Sequence, residues 1–161
     1  MTLTTHAVAG AVVIGFFPEH LALGFLAAFA SHFLLDAIPH WDYPIRSGSI
    51  NPDIGARLTF DRSLLYDMLA IGFDALLGIT LSVIFFTQFH STEVVLLGAI
   101  GGILPDPLQF IYTRFRREPL ASLQRFHEWI HTTHRLKHDR IFGIFSQAVL
   151  LAGIIVIGQA F

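Results

Sequence analysis

Nine histidines and no cysteine in 161 residues narrow the chemistry open to this chain. Without thiols, disulfides and thiolate metal sites are excluded, so any metal must be held by imidazole and carboxylate. The spacing of these residues points to such a use. His32 and Asp36 are four apart, as are His127 and His131, and on a helix each pair shares a face. Two donors at i and i+4 can grip one ion, as they do in zinc-binding helices. Nitrogen and oxygen donors fit zinc, manganese or iron, with zinc the default. His6, His40, Asp42, Asp106 and His134 add enough donors for one or two divalent ions.

Each of these residues also has a plainer reading. His32 with Asp36 makes an equally good buried hydrogen-bonded pair that pins helices. His127, His131 and His134 suit an amphipathic face near anionic lipid. Asp106 stands between Pro105 and Pro107, where aspartate serves as a helix cap. Asp67 and Asp74 fit polar helix–helix contacts, with Asp67 the better candidate for a site. His20, His90 and His138 read as surface histidines, and Trp41, Tyr43 and Trp129 as an interfacial aromatic belt.

The elements that must position these side chains are apolar helices. Hydrophobic residues make up 53% of the chain and charged ones 14%, against about a quarter charged in soluble domains. Mean hydropathy is +0.62. A chain this short cannot bury so much apolar surface in water, so the excess must face lipid. The expected fold is all-α, a polytopic helical membrane bundle forming a single domain over residues 1–161. Leu3–Phe17 and Leu21–Ile38 read as a tight helical hairpin with its tip at Phe17–His20. Ser63–Phe89 is the longest apolar run. Val94–Tyr112 is a fourth, broken at Pro105-Asp106-Pro107 because proline removes a helical hydrogen bond. Ile141–Phe161 is the last, giving about five transmembrane segments. No cleavable signal peptide is expected, because Met1–Ala11 lacks a basic start.

Polar loops are expected over Pro39–Arg62 and Thr113–Arg140, the second with an amphipathic helix. Seven of the ten lysines and arginines lie between Arg114 and Arg140, and the other three are Arg46, Arg57 and Arg62. Five alternating spans put both loops and the N-terminus on one side. The positive-inside rule makes that side the cytoplasmic face of the inner membrane. The near-neutral net charge of −2 speaks against nucleic acid as a partner; membrane lipid is the expected one. On this topology His6, His32, Asp36, His40, Asp42, Asp106, His127 and His131 all converge at the cytoplasmic end, which favours a metal site over eight unrelated structural roles.

Three short stretches carry a family resemblance. Thr5-His6-Ala7-Val8-Ala9-Gly10, Ser31-His32-Phe33-Leu34-Leu35-Asp36 and Gly101-Gly102-Ile103-Leu104-Pro105-Asp106 resemble motifs of the bacterial and archaeal integral-membrane metal-dependent hydrolases. The motif order differs, since the HxxLD element stands second here and last in that family. Phe126–His131 occupies the place of a further histidine motif, with a loose match. That family is distantly similar to zinc-dependent phospholipases C. The resemblance implies a helical hydrolase in which His6, His32, Asp36 and Asp106 sit at ligand positions.

The function expected is a metal-dependent hydrolase of a phosphoester or ester, such as a lipid. His32, Asp36, His127 and His131 would be ligands, completed by His6, His40 and Asp106, with Asp42 or Glu128 as general base. The alternative is a non-enzymatic metal-binding or structural membrane protein. A conducting pore fits less well, because Asp74 is the one ionisable residue deep in a predicted span and conduction needs polar groups throughout.

Overall fold

A computed structural model describes residues 1–51, 55–58, 61–132, 136 and 139–160. Among them seven helices carry the fold: α1 (Leu3–Gly15), α2 (Leu21–Asp36), α3 (Arg62–Phe86), α4 (Thr92–Ile103), α5 (Pro105–Arg114), α6 (Leu120–Ile130) and α7 (Arg140–Gly158). Between α2 and α3, where sequence predicts an irregular loop, a short antiparallel ribbon pairs β1 (Gly48–Asn51) with β2 (Gly55–Leu58). The predicted break in the fourth apolar run is a 47° bend between α4 and α5. Pro105 opens α5, where its missing N–H is tolerated.

α3 and α7 are long and apolar enough to cross a bilayer, and the bent α4–α5 pair adds a third crossing if taken as one span. α1 and α2, at 13 and 16 residues, fall short of the roughly 20 that a full crossing needs. α3 and α7 turn large apolar side chains outward along their length. Leu65, Leu69, Phe73, Leu76 and Ile84 are exposed on α3, and Ile141, Phe145, Val149 and Val156 on α7. A surface of this kind calls for lipid.

α1 is the central post, packed against α2, α3, α4 and α7. Ala7, Val8, Ala11 and Ile14 on it are fully buried. Its contact with α4 is made by glycine. A Cβ on Gly10 would lie 2.2 Å from the Gly98 carbonyl oxygen, and one on Gly102 would lie 2.2 Å from the His6 carbonyl oxygen. Small residues let two backbones touch, which drives helix pairing in membranes.

Gly24 packs on Ile14 and Phe17, Gly15 on His90, and Gly158 on Val12 and Phe86. These contacts gather the 16–20 turn, the 87–91 turn and the end of α7 at one end of the bundle. The N-terminus and residues 37–47 and 130–132 lie at the other, where Met1 meets Asp36 and Asp42 and Thr132 meets Asp36. The described parts of the two basic loops therefore meet at this end.

The start of α1 is tied down by α3. Asp74 accepts from the Leu3 N–H (2.6 Å), the Thr4 N–H (3.3 Å) and the Thr4 hydroxyl (2.6 Å). It is a helix cap supplied in trans, satisfying N–H groups that no intrahelical carbonyl reaches. Gln147 of α7 adds a bond from the Thr2 N–H and donates to the Trp41 carbonyl. Asp74 lies midway along the 25 residues of α3, about 18 Å from its start at 1.5 Å per residue. Asp74→Ala should therefore cost about 2 kcal/mol by orphaning these donors, seen as a lower Tm in detergent. An unchanged Tm would show that the cap carries no weight.

Candidate metal centre

α2 ends by presenting three donors one turn apart. His32 and Asp36 lie in its last turns and His40 just beyond, all buried. α1 brings His6, the α4–α5 bend brings Asp106, and α6 brings His127 with His131 at its end. The chain after α6 is locked to α2 through its backbone. Thr132 N–H donates to the Asp36 carbonyl (2.9 Å) and Leu136 N–H to the His40 carbonyl (3.0 Å). These bonds satisfy carbonyls left open at the end of α2 and hold His131 beside Asp36.

Asp36 is the hub. Its Oδ2 lies 3.0 Å from His127 Nε2, 3.2 Å from His32 Nε2 and 3.9 Å from His131 Nε2. Its Oδ1 lies 3.1 Å from His6 Nε2 and 3.8 Å from His40 Nε2. Asp106 Oδ1 is 3.4 Å from His32 Nε2, and Asp42 Oδ1 is 2.9 Å from His40 Nε2. The Met1 amine is 3.0 Å from Asp36 Oδ1 and 2.9 Å from Asp42 Oδ1. Two donor groups emerge: His32, Asp36, Asp106 and His127, and beside them Asp36, His40 and His131, each with ligand atoms within 4.8 Å of one another. Either could hold a metal ion.

The tautomers fit that use. His32 Nδ1 is 2.8 Å from the Gly102 carbonyl, His40 Nδ1 2.7 Å from the Ile38 carbonyl, and His131 Nδ1 3.2 Å from the Thr132 carbonyl. A carbonyl only accepts, so each Nδ1 carries a proton and each ring turns its Nε2 inward, where it is a lone pair whenever the ring is neutral. This is the outer-shell arrangement that orients ligating histidines. The buried Nε2 atoms of His32 and His40 have no hydrogen-bond partner, although carboxylate oxygens stand close by. Unpaired buried polar atoms are costly, and an ion satisfies them. The N···O separations in the first group, 3.0–3.4 Å, agree: donors about 2.0–2.2 Å from one zinc ion are about 3–3.5 Å apart; those in the second, 3.8 and 3.9 Å, are wider.

Among the shifted groups outside the helices, Asp42 and His131 bear on the site. Burial opposes ionisation of Asp42, but the adjacent His40 imidazole and the Met1 ammonium win and hold its carboxyl well below the usual range. Burial pushes the His131 imidazole below its ordinary value despite the charges of Asp36 and Asp42. Asp42 is therefore ionised and His131 neutral near pH 7, the states that ligands and bases require.

The structure brings together His6, His32, Asp36, His40, Asp42, Asp106, His127 and His131. It places Glu128 elsewhere. That side chain is exposed on α6 and accepts from Gln124 Nε2 (2.9 Å). Asp67 also serves elsewhere: its Oδ2 accepts from the Arg46 N–H, the Ser47 N–H and the Ser47 hydroxyl, at 2.7–2.8 Å, and so pins the loop to α3. His20 is exposed and His90 lies at the far end of the bundle. His134 and His138 fall outside the described residues. Sequence reading missed the Gly102 carbonyl and the Met1 amine, since neither has a side-chain signal.

Comparison with known proteins adds no assignment. No family model matches the chain, and no curated protein or solved structure matches it significantly.

Proposed function

We propose that this chain is a membrane-embedded, metal-dependent hydrolase of a phosphoester or ester, with a lipid-like molecule as substrate. The observation that carries the reading is the set of inward Nε2 atoms, oriented by backbone carbonyls, around a buried carboxylate. His32, Asp36, Asp106 and His127 would hold one divalent ion, and Asp36, His40 and His131 a second. The resemblance to membrane metal-dependent hydrolases rests on the same residues, His6, His32, Asp36 and Asp106. In this reading the α1–α2 hairpin completes five spans, with the N-terminus and both basic loops cytoplasmic.

A bound divalent ion supplies polarisation of the scissile bond and a water acidic enough to attack at neutral pH. The chain's own residues do the rest. Asp42, ionised and 2.9 Å from His40 Nε2, takes the proton from the attacking water. His32, Asp36 and His127 hold fixed positions because their surroundings are sealed. Asp106, Asp42 and His131 keep 33%, 25% and 16% of their side-chain surface, so the centre is not wholly enclosed. A structural zinc site fills all four positions with protein ligands, whereas Asp36, His40 and His131 offer three, and that open position favours catalysis over the structural alternative. With α3 spanning the bilayer, a centre near the level of Asp74 sits inside the hydrocarbon thickness, deeper than the bilayer edge. A substrate with an apolar tail reaches such a site laterally.

The test is hydrolysis of nitrophenyl phosphodiesters, nitrophenyl esters and phospholipids by detergent-purified protein loaded with zinc or manganese. Activity on one of these classes, abolished by chelation, is expected. Asp42→Asn should lower kcat by about 10²–10⁴-fold while metal content stays near wild type. Glu128→Gln should leave kcat unchanged. No turnover of any of these classes by fully metal-loaded protein would sink the proposal.

A further inference from the structure

Beside the metal centre, on the other face of the segment that carries His40 and Asp42, lies a cleft of about 320 Å³. Its walls include Trp41, Tyr43 and Arg46 from that segment, Tyr66 and Asp67 from α3, and Arg140 at the start of α7. Neighbouring residues thus divide between two sites. His40 and Asp42 face the ligand cluster, while Trp41 and Tyr43 line the cleft.

The lining carries two arginines against one aspartate. Asp67 turns its carboxylate to the Arg46 and Ser47 amides and the Ser47 hydroxyl, so its negative charge is already engaged. Arg46 and Arg140 are exposed and make no ion pair among the described residues. Arg140 instead lies over the Trp41 ring, 5.4 Å from its centroid, which orients the guanidinium. Two such forks are suited to the oxygens of a phosphate-type anion. Outside the cleft α3 and α7 present Leu69, Phe73, Ile141 and Phe145 to the surroundings, an apolar track that suits an acyl or alkyl chain.

We infer that this cleft binds the phosphate-type anionic head of a membrane amphiphile, with Arg46 and Arg140 as the anion-binding groups. The cleft rests on the hydrolase reading in one respect: a head group held there lies against Trp41 and Tyr43, the residues on either side of Asp42, so it is the substrate's recognition site. Binding itself does not require turnover.

Trp41 is a built-in reporter once the other tryptophan, the exposed Trp129, is replaced. In a Trp129→Phe background in maltoside micelles, dodecyl phosphate should shift Trp41 emission saturably, and dodecanol should not. Arg46→Gln should weaken binding by about tenfold or more, with metal content unchanged and Arg46→Lys in between. Competition by inorganic phosphate at concentrations similar to dodecyl phosphate would keep the anion site and make its source a soluble phosphate ester. The titration is run with the protein as purified and after EDTA treatment. Binding that survives EDTA, even with no hydrolysis by metal-loaded protein, upholds the cleft independently of the hydrolase reading. Binding that vanishes with the metal, or that is equal in Arg46→Gln, overturns it, as does the absence of a saturable shift.

Discussion

Asp36→Asn is expected to remove both metal ions and lower hydrolytic activity by at least about a hundredfold, while the helices stay folded. Among the described residues Asp36 is the only one shared by the two donor groups, and its oxygens meet five histidines between 3.0 and 3.9 Å. Asparagine keeps the volume but loses the charge and one acceptor oxygen, so packing survives and ligation fails. Buried imidazoles would then face an amide, a weaker partner for an ion and for a proton. Metal analysis and circular dichroism on the same preparation separate the two effects. Retention of full metal content in Asp36→Asn would show that the histidines do not ligate through this hub.

The second large effect is expected from a residue with no side chain. Gly102→Ala should destabilise the protein by about 3 kcal/mol and weaken metal binding at the same time. The new Cβ would stand 2.2 Å from the His6 carbonyl oxygen and 3.2 Å from Gly10 Cα. Backbone cannot yield as a flexible side chain can, so α4 must move away from α1, at a cost in the upper range for overpacking. That movement carries off the Gly102 carbonyl, which holds His32 Nδ1 at 2.8 Å. Lost outer-shell orientation costs about 10–100-fold in metal affinity. Gly72→Ala is the control, since nothing lies within 4 Å of its Cβ position. Thermal unfolding and zinc titration of the two variants check the coupling. Equal zinc affinity in a destabilised Gly102→Ala protein would disconnect helix packing from the site.

Much of the site is legible in sequence because its signals are local. The spacing of His32 with Asp36, and of His127 with His131, fixes shared faces through helical periodicity, and the structure places both pairs around one carboxylate. Asp106 stood between a cap and a ligand on sequence grounds; the α4–α5 bend at Pro105 turns it toward His32 while it also sits in the first turn of α5. Glu128 shows the limit of the same reasoning. It adjoins His127 in sequence but lies about 100° round the helix from it, so it faces outward to Gln124.

The bundle itself was less legible. Hydropathy reports apolar length, and it cannot tell a helix facing lipid from one buried by its neighbours. α1 is apolar because four helices enclose it, and its 13 residues end where Asp74 caps it from α3. That capping depends on contacts about 70 residues apart in the chain, which no local pattern encodes. Asp74 gave a partial signal, as a carboxylate deep in an apolar run demands a partner. The ribbon at Gly48–Leu58 left no clear alternation to read in a segment rich in glycine, proline and charge.

The most direct test of the metal centre is the zinc and manganese content of the full chain, purified in detergent and reconstituted with each metal, by plasma mass spectrometry. Wild type should bind about two ions per chain, His40→Ala about one, and Asp36→Asn none. Failure of the reconstituted wild type to bind either metal would contradict the account and leave the buried histidines as structural hydrogen-bonding groups.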